Sequence, residues 1–324
     1  MSCSTATMPT FQVHLVVCLE HAKQYSEQMI ERLSLNQKSF VVEIASNDGY
    51  LLKNFVNASI PCLGIEPTDS TATAAEAQGI SVIKQFFGKR LAERLVTEGQ
   101  QADLIAGNNV YAHVPDINDF TAGLRTALKP NGTITLEFPH LQGLIKYNQF
   151  DTIYHEHFSY LSLTAVSQIF EKQGLRIYDV EQLPTHGGSL RVFGCCQQAE
   201  HTITEIVELI KESEDLFGLT SLSTYKDFQY SADKVKNDLL DFLIQQKRDG
   251  KRVAAYGAAA KGNTLLNYAG IKQDLLEFVC DAAEAKQGQF MPGSHIPIMS
   301  PKILDIVQLD YLLVLPWNIF DEVH

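Results

Sequence analysis

Apolar positions change their spacing several times along the chain. Up to about Glu20 no period is resolved; beyond it Ala22, Tyr25, Met29, Ile30 and Leu33 recur at helical intervals, which predicts an amphipathic lead-in helix after an ill-defined start. From Phe40 short apolar runs take over: FVVEIA, IPCLGIE, ISVIK, ADLIAGNN and GTITLEF. Each reads as a buried strand about five residues long, with helix-length segments or loops between. Strands so separated need crossover connections, so the expected sheet is mostly parallel with helices on both faces. LRIYDVEQL and SLRVFGCC follow a different rule, because only PTHGG separates them, and that is hairpin spacing.

Five parallel strands followed by a hairpin predict the seven-stranded α/β sheet of a class I (Rossmann-like) methyltransferase rather than the six parallel strands of a dinucleotide dehydrogenase. Between His201 and Arg248 two helices are expected, one carrying Ile206, Leu209, Ile210 and Phe217, the other Val235, Leu239, Phe242 and Leu243, joined by the weakly apolar FGLTSLSTYKDF. After Gly250 strand and helix alternate again through KRVAAYGAAAKG, LLEFVCDA and DYLLVLPW, a second and smaller α/β unit. The organisation expected is a lead-in segment over 1–37, a cofactor-binding domain over 38–198 and a C-terminal α/β domain with a helical connection over 199–324.

The balance of 26 basic against 38 acidic residues, a net charge of −12, argues against nucleic acid or an anionic membrane as partner. No apolar stretch is long enough to span a bilayer and no basic-then-apolar leader opens the chain, so a cytoplasmic protein with a small-molecule partner is expected. The six cysteines form no C-x-x-C pair; reduced buried thiols are expected and no metal site.

Candidate chemistry gathers first in VVEIASNDGYLL. Glu43 lies within a strand, and Ala45, Asn47 and Asp48 belong to a small-residue turn that opens a helix, where an open α/β sheet admits its ligand. The turn is not G-x-G-x-x-G. Glu66, roughly twenty residues on at the end of the second strand, is placed to accept from both ribose hydroxyls. Carboxylates suit a sulfonium cofactor better than a pyrophosphate, which favours S-adenosylmethionine over NAD. Asn108 and Asn109 line the same cleft after the fourth strand, and Pro67, Phe87 and His113 complete the candidate cofactor residues. Singly, Glu43 could be a buried ion-pair partner and Asp48 a helix cap.

The motifs VEIASNDGYLL, GNNVYAHVPD, FDTIYHEHFSYLSL, HGGSLRVF, YGAAAKGNTLLNY and KQGQFMPGSHIPI occur in that order, and from about Glu20 onward the chain resembles the nucleotide-sugar C-methyltransferases that act on dTDP-linked deoxyhexose-4-uloses. The resemblance implies methyl transfer from S-adenosylmethionine to a carbon next to a ketone, commonly C3 of the sugar. Members usually begin with a zinc-binding domain carrying paired cysteines, which this sequence lacks. They also carry an aromatic, serine-rich stretch with an active-site tyrosine where this chain reads FQVHLVVC, and they continue beyond LPWNIFDEVH.

Methylating carbon beside a ketone needs a positioned base, a group for the enolate oxygen and a donor held in line. Tyr154, His155, Glu156 and His157 offer these types, histidine being matched to proton abstraction at neutral pH. Spacing does not decide between the histidines; the resemblance implies His157 as base with Tyr154 and Glu156 as partners. An extended strand would put 155 and 157 opposite 154 and 156, so convergence requires a turn. A core or solvated histidine, or a metal site from His155 and His157, are the competing readings.

For the substrate, His186, Gly188 and Ser189 lie at the hairpin turn, and Arg191, alternating with Leu190 and Val192, could meet a diphosphate. Turn chemistry alone would also explain the glycines. Tyr256, Lys261, Asn263 and Thr264 belong to a strand–turn–helix, GAAAKGNT, in which Lys261 precedes Gly262 and so is not placed as in an NTPase loop. The resemblance puts nucleotide-sugar contacts in this part. A protein of this fold that binds both ligands without turnover, and an NAD-dependent sugar oxidoreductase, are the alternative functions.

Overall fold

Continuous apolar runs form the strands, because a parallel sheet is covered on both faces and leaves no position for alternating polar residues. The structure, a computed structural model, describes residues 10–317, with side chains from Leu19 onward and His186 excepted. Its elements in chain order are α1 (Thr10–Arg32), β1 (Val41–Ile44), α2 (Leu52–Asn57), β2 (Cys62–Ile65), α3 (Asp69–Glu76), β3 (Ser81–Ile83), α4 (Lys89–Thr97), β4 (Ala102–Asn108), α5 (Ile117–Ala127), β5 (Leu128–Pro139), α6 (Leu141–Lys146), α7 (Leu163–Lys172), β6 (Leu175–Leu183), β7 (Ser189–Cys196) and α8 (Glu205–Phe217). There follow α9 (Leu222–Arg248), β8 (Val253–Tyr256), α10 (Ala260–Tyr268), β9 (Val279–Cys280), β10 (Ile298–Met299) and β11 (Tyr311–Val314).

Two compact units result. The larger comprises Cys18–Gly143 and Glu156–Thr220; the smaller takes Leu144–His155, the described residues from Ser221 on and the start of α1. The larger unit holds a seven-stranded sheet in the order β3-β2-β1-β4-β5-β7-β6. β3 through β5 run parallel, and β7 pairs antiparallel with both β5 and β6, as the hairpin spacing predicts. The turn is tight because Gly187 and Gly188 adopt φ of 85° and 116°, a region closed to most side chains. The sheet is covered at its centre, where every residue of β1 and β7 is buried and α1 lays Ala22, Tyr25 and Met29 against the core, whereas edge strand β3, expected to be buried, leaves Ser81 exposed and Val82 and Ile83 half-buried. Helix starts are marked by Asp116, which accepts from Asn118 N and Asp119 N (3.1 and 3.0 Å), and by Ser162, which accepts from Ala165 N (3.1 Å).

The smaller unit has its own parallel sheet, β10-β9-β8-β11, with a core of Leu243, Val253, Leu266, Ile271 and Val279. Among the described residues no helix is long and apolar enough to cross a membrane. Three expectations are corrected. α1 begins at Thr10, because nothing between Pro9 and Arg32 breaks a helix even where FQVHLVVC shows no period. Most of FGLTSLSTYKDF is helical, since left-handed Gly218 ends α8 and α9 starts four residues later. β10, two residues beside Pro297, carries too little pattern to be foreseen.

Candidate active site

At the carboxyl end of β1 the chain turns through three left-handed residues, Ala45 (φ 58°), Asn47 (φ 48°) and Gly49 (φ 81°), and Asn109 (φ 53°) does the same after β4. A left-handed Ala costs on the order of 1–3 kcal/mol, and two such turns on neighbouring strand ends mark a backbone shaped for a ligand. Gly49 suits its place because φ of 81° is a region most side chains avoid, and an added Cβ would press on Ile80 Cδ1 and lie 3.1 Å from Ala75 Cβ. Glu66 fixes the turn: its Oε2 accepts from Asn47 N (3.1 Å) and its Oε1 from Thr68 N (2.8 Å), leaving one lone pair on each oxygen. Pro67 follows half-buried. Asp48 accepts from Tyr50 N (3.3 Å) and is exposed. Phe87, half-buried, stands edge-on to Phe120 with centroids 5.2 Å apart.

Three buried oxygens here have no hydrogen-bond partner: Glu43 Oε2, Ser46 Oγ and Asn108 Oδ1. Glu43 is 2% exposed, and no ion pair reaches it among the described residues. Burial first, then Asp48 and Glu66, push its carboxyl well above the ordinary range. Acceptors left without donors beside a cluster of carboxylates suit a cationic ligand bearing N–H and O–H groups. Because the folded value is raised, Glu43 favours the fold below about pH 4.3, and that contribution is lost as pH climbs toward the folded value. Ligand-free Glu43→Gln protein should therefore melt above wild type at neutral pH, with the gap closing toward about pH 4. A melting-temperature series against pH checks this, and a gap independent of pH would refute it.

The YHEH segment does turn: Tyr154 sits at a bend and His155 and Glu156 in the turn itself, both exposed. Phe158 N and Ser159 N donate to Ala112 O (2.9 and 3.2 Å), which ties the segment after the turn to the loop following β4. His157, half-buried, packs its ring edge-on to His113 at 4.7 Å and lies 6.0 Å from Tyr160. His113 and His157, expected in different roles, are thus brought together at the segment that follows β4, the strand paired directly with the one carrying Glu43. Tyr154 and His155 belong to the smaller unit.

Arg191 is a correction. It does point opposite to Leu190, but that face is covered: its Nε donates to Glu137 Oε1 (2.7 Å) and its Nη1 to Glu181 Oε2 (2.9 Å), with the side chain 4% exposed. With Nη1 also donating to Gln28 Oε1 (3.2 Å) and Nη2 paired with Glu137 and set against His21, the guanidinium has no donor free for a diphosphate. Gly188 serves the turn, and Ser189 Oγ donates to Thr185 O (3.0 Å). The His186 side chain lies outside the described residues.

In the smaller unit Tyr256 ends β8, half-buried, and Gly257 (φ 95°) turns the chain into α10. Lys261 Nζ lies 4.6 Å from the Trp317 ring; burial lowers its ammonium, partly offset by Asp151. Asn263 Oδ1 is buried without a partner, while Thr264 Oγ1 is spent on Ala260 O (3.1 Å). Sequence reasoning missed Asp151, 5% exposed, which accepts from Trp317 Nε1 (2.7 Å), and Asp281, which accepts from Ala258 N (2.8 Å) and pairs with Lys286. The one available signal was an aspartate inside the aromatic run FDTIY.

Residues 184–324 match the family model of the C-methyltransferase C-terminal domain, and residues 18–180 that of a methyltransferase domain. C-methyltransferase NovU of Streptomyces niveus is 35% identical over 305 residues, which is 94% of this chain and 73% of that protein. The chain belongs to the C-methyltransferase family. Among solved structures, magnesium protoporphyrin IX methyltransferase (ChlM) from Synechocystis PCC 6803 with bound SAM is similar over 60% of this chain and 87% of that one, at 12% identity and a TM-score of 0.44. The same enzyme with bound SAH gives 59%, 89%, 12% and 0.46. Membership makes the chain an S-adenosylmethionine-dependent enzyme that methylates carbon, and its larger unit a class I methyltransferase domain.

Proposed function

We propose that the protein methylates a nucleotide-linked 4-keto-deoxysugar at the carbon beside the ketone, with C3 as the acceptor and His157 as the base. The observation that carries this reading is the seat of His157: its ring is half-buried against His113, on backbone anchored to the loop that leaves β4 beside Asn108. A half-buried imidazole at a strand end bordering the cofactor residues can reach a substrate proton, whereas exposed His155 is not held.

Glu66 and the backbone it fixes, with Glu43, Asn108 and Asn109, would hold the cofactor. S-adenosylmethionine, when bound, supplies the electrophilic methyl group. The chain's part is to remove the proton. His157 takes it from the carbon next to the ketone, the electron pair moves onto the carbonyl oxygen as an enolate, and the carbon becomes nucleophilic. Tyr154 and Glu156 are the candidate partners that orient the base or receive the enolate. In the smaller unit, Tyr256, Lys261 and Asn263, at and after the carboxyl end of β8, are the candidates for the nucleotide end of the substrate, Lys261 supplying charge to the phosphates. Arg191 has no part in it.

Mass spectrometry of dTDP-4-keto-deoxysugars incubated with methyl-labelled cofactor tests the reading; a labelled sugar carbon is expected, and label on none of them refutes the substrate class. Glu66→Ala should weaken cofactor binding by about 1.5–3 kcal/mol, the scale of hydrogen bonds to a charged group, and titration calorimetry on the folded variant reads it directly. Unchanged affinity would remove Glu66 from the site.

A further inference from the structure

The polypeptide leaves the sheet at the end of β5, makes an excursion through residues 142–160 that carries Tyr154 to His157, and returns at Leu161 to begin α7. The two ends of that excursion meet. His140 and Leu161 form a parallel bridge, and Leu141 N donates to Leu161 O (2.9 Å). One carboxylate from a distant element closes the junction. Glu214 of α8, 1% exposed, accepts at Oε1 from His140 Nε2 (2.7 Å) and from Leu163 N (2.6 Å), and at Oε2 from Thr164 N (2.9 Å). A carboxylate only accepts, so Nε2 of His140 carries the proton.

Leu163 N and Thr164 N are first-turn donors of α7 that no carbonyl of the helix can reach, and the helix dipole adds positive potential there. The charge of Glu214 is thereby met by three N–H groups, the Thr164 side chain and a helix end, and among the described residues no lysine or arginine pairs with it. Burial raises its carboxyl, but the bonds from His140 and from Thr164 and Leu163 outweigh that and leave it below the ordinary range. The donors Glu214 collects come from both ends of one segment, and none comes from the cofactor turns after β1 and β2. From the clamped end, four residues lead back to His157, and two of the intervening residues, Phe158 and Ser159, are fixed on Ala112.

We infer that Glu214 is a positioning residue for the methyl transfer: it pins the two ends of the 142–160 excursion together and thereby sets the placement of His157. The inference rests on His157 being the base. A displacement of about 1 Å at a reacting group can cost roughly 10²-fold in rate, so a loosened junction should be felt in turnover while the cofactor turns remain intact.

The test compares Glu214→Ala and Glu214→Gln with wild type in the full-length protein. Three quantities are read: turnover on whichever keto sugar wild type methylates, cofactor affinity by calorimetry, and amide hydrogen exchange by segment. Glu214→Ala is expected to lose about 10–100-fold in kcat, to keep cofactor affinity within about twofold, and to exchange faster over residues 141–164 but not over 41–50 or 102–109. Glu214→Gln, which still offers an acceptor oxygen to the helix end, should recover most of the rate. Wild-type kcat in Glu214→Ala, or parallel loss of turnover and cofactor affinity in both variants, overturns the inference. If Glu214→Ala does not fold, His140→Gln serves in its place with the same expectations and the same overturning results. Failure of the base assignment is read separately: a His157→Asn protein as active as wild type removes the base, whatever the Glu214 variants do.

Discussion

His157→Asn is expected to lower methyl transfer about 10²–10⁴-fold, the range for loss of a general base, while cofactor and sugar affinities stay near wild type. Asparagine keeps a polar, planar side chain to set against His113 and leaves the Phe158 and Ser159 bonds to Ala112 in place, so the seat survives and only the proton acceptor is lost. The deficit belongs in kcat, because the interaction removed is made in the transition state. A second measurement isolates the proton step. Exchange of the sugar proton with deuterated water, followed without cofactor, should slow in parallel with turnover, since deprotonation comes first. His155→Asn should change neither, its side chain being exposed in the turn. Should exchange persist in His157→Asn and collapse in His155→Asn, the base is His155 and the enolate route stands. Full activity in both variants would dismiss that route.

How far these residues were readable in advance depended on the range of the interaction that fixes them. The buried strands were readable because a two-sided parallel sheet writes itself as unbroken apolar runs, and the β6–β7 hairpin because a five-residue Gly-rich link allows little else. The small-residue turn after β1 was readable for a local reason too: small residues, a strand before and a helix after. The helical start of α1 and the first turns of α9 were not, since helices lacking a clean apolar stripe are stabilised by neighbours that the local pattern does not name. For Arg191, alternation gave the correct face of β7 and the wrong environment. Glu137 from β5, Glu181 from β6 and Gln28 from α1 cover that face, and no spacing within SLRVF announces them. Glu214 is the same case over a longer distance, 74 residues from the histidine it holds.

Arg191→Met should destabilise the fold by about 3–5 kcal/mol, the cost of stripping the partner from a buried charge. Methionine fills much of the space and keeps contact with the Tyr25 ring, over which the guanidinium lies at 4.8 Å. What it cannot do is answer Glu137, which is 2% exposed and would keep only a 3.4 Å approach from His21. In the intact protein burial pushes the Glu137 carboxyl up, but the bond from His21 and the charge of Arg191 together outweigh it and leave it below the ordinary range. A lowered folded value stabilises at pH above the unfolded carboxylate value of about 4.3, and that stability is lost as pH falls through the folded value. In Arg191→Met the burial contribution prevails, the folded value rises, and the variant loses stability as pH climbs above about 4.3. The gap between the two proteins should therefore be full at about pH 7 and shrink markedly near pH 4. Urea unfolding at the two pH values measures it. Adding Glu137→Leu to Arg191→Met should return much of the loss, because an apolar pair of similar volume leaves no charge unanswered. A gap below about 1 kcal/mol at neutral pH, or one of equal size at both, would mean that the Arg191 network contributes packing and not charge.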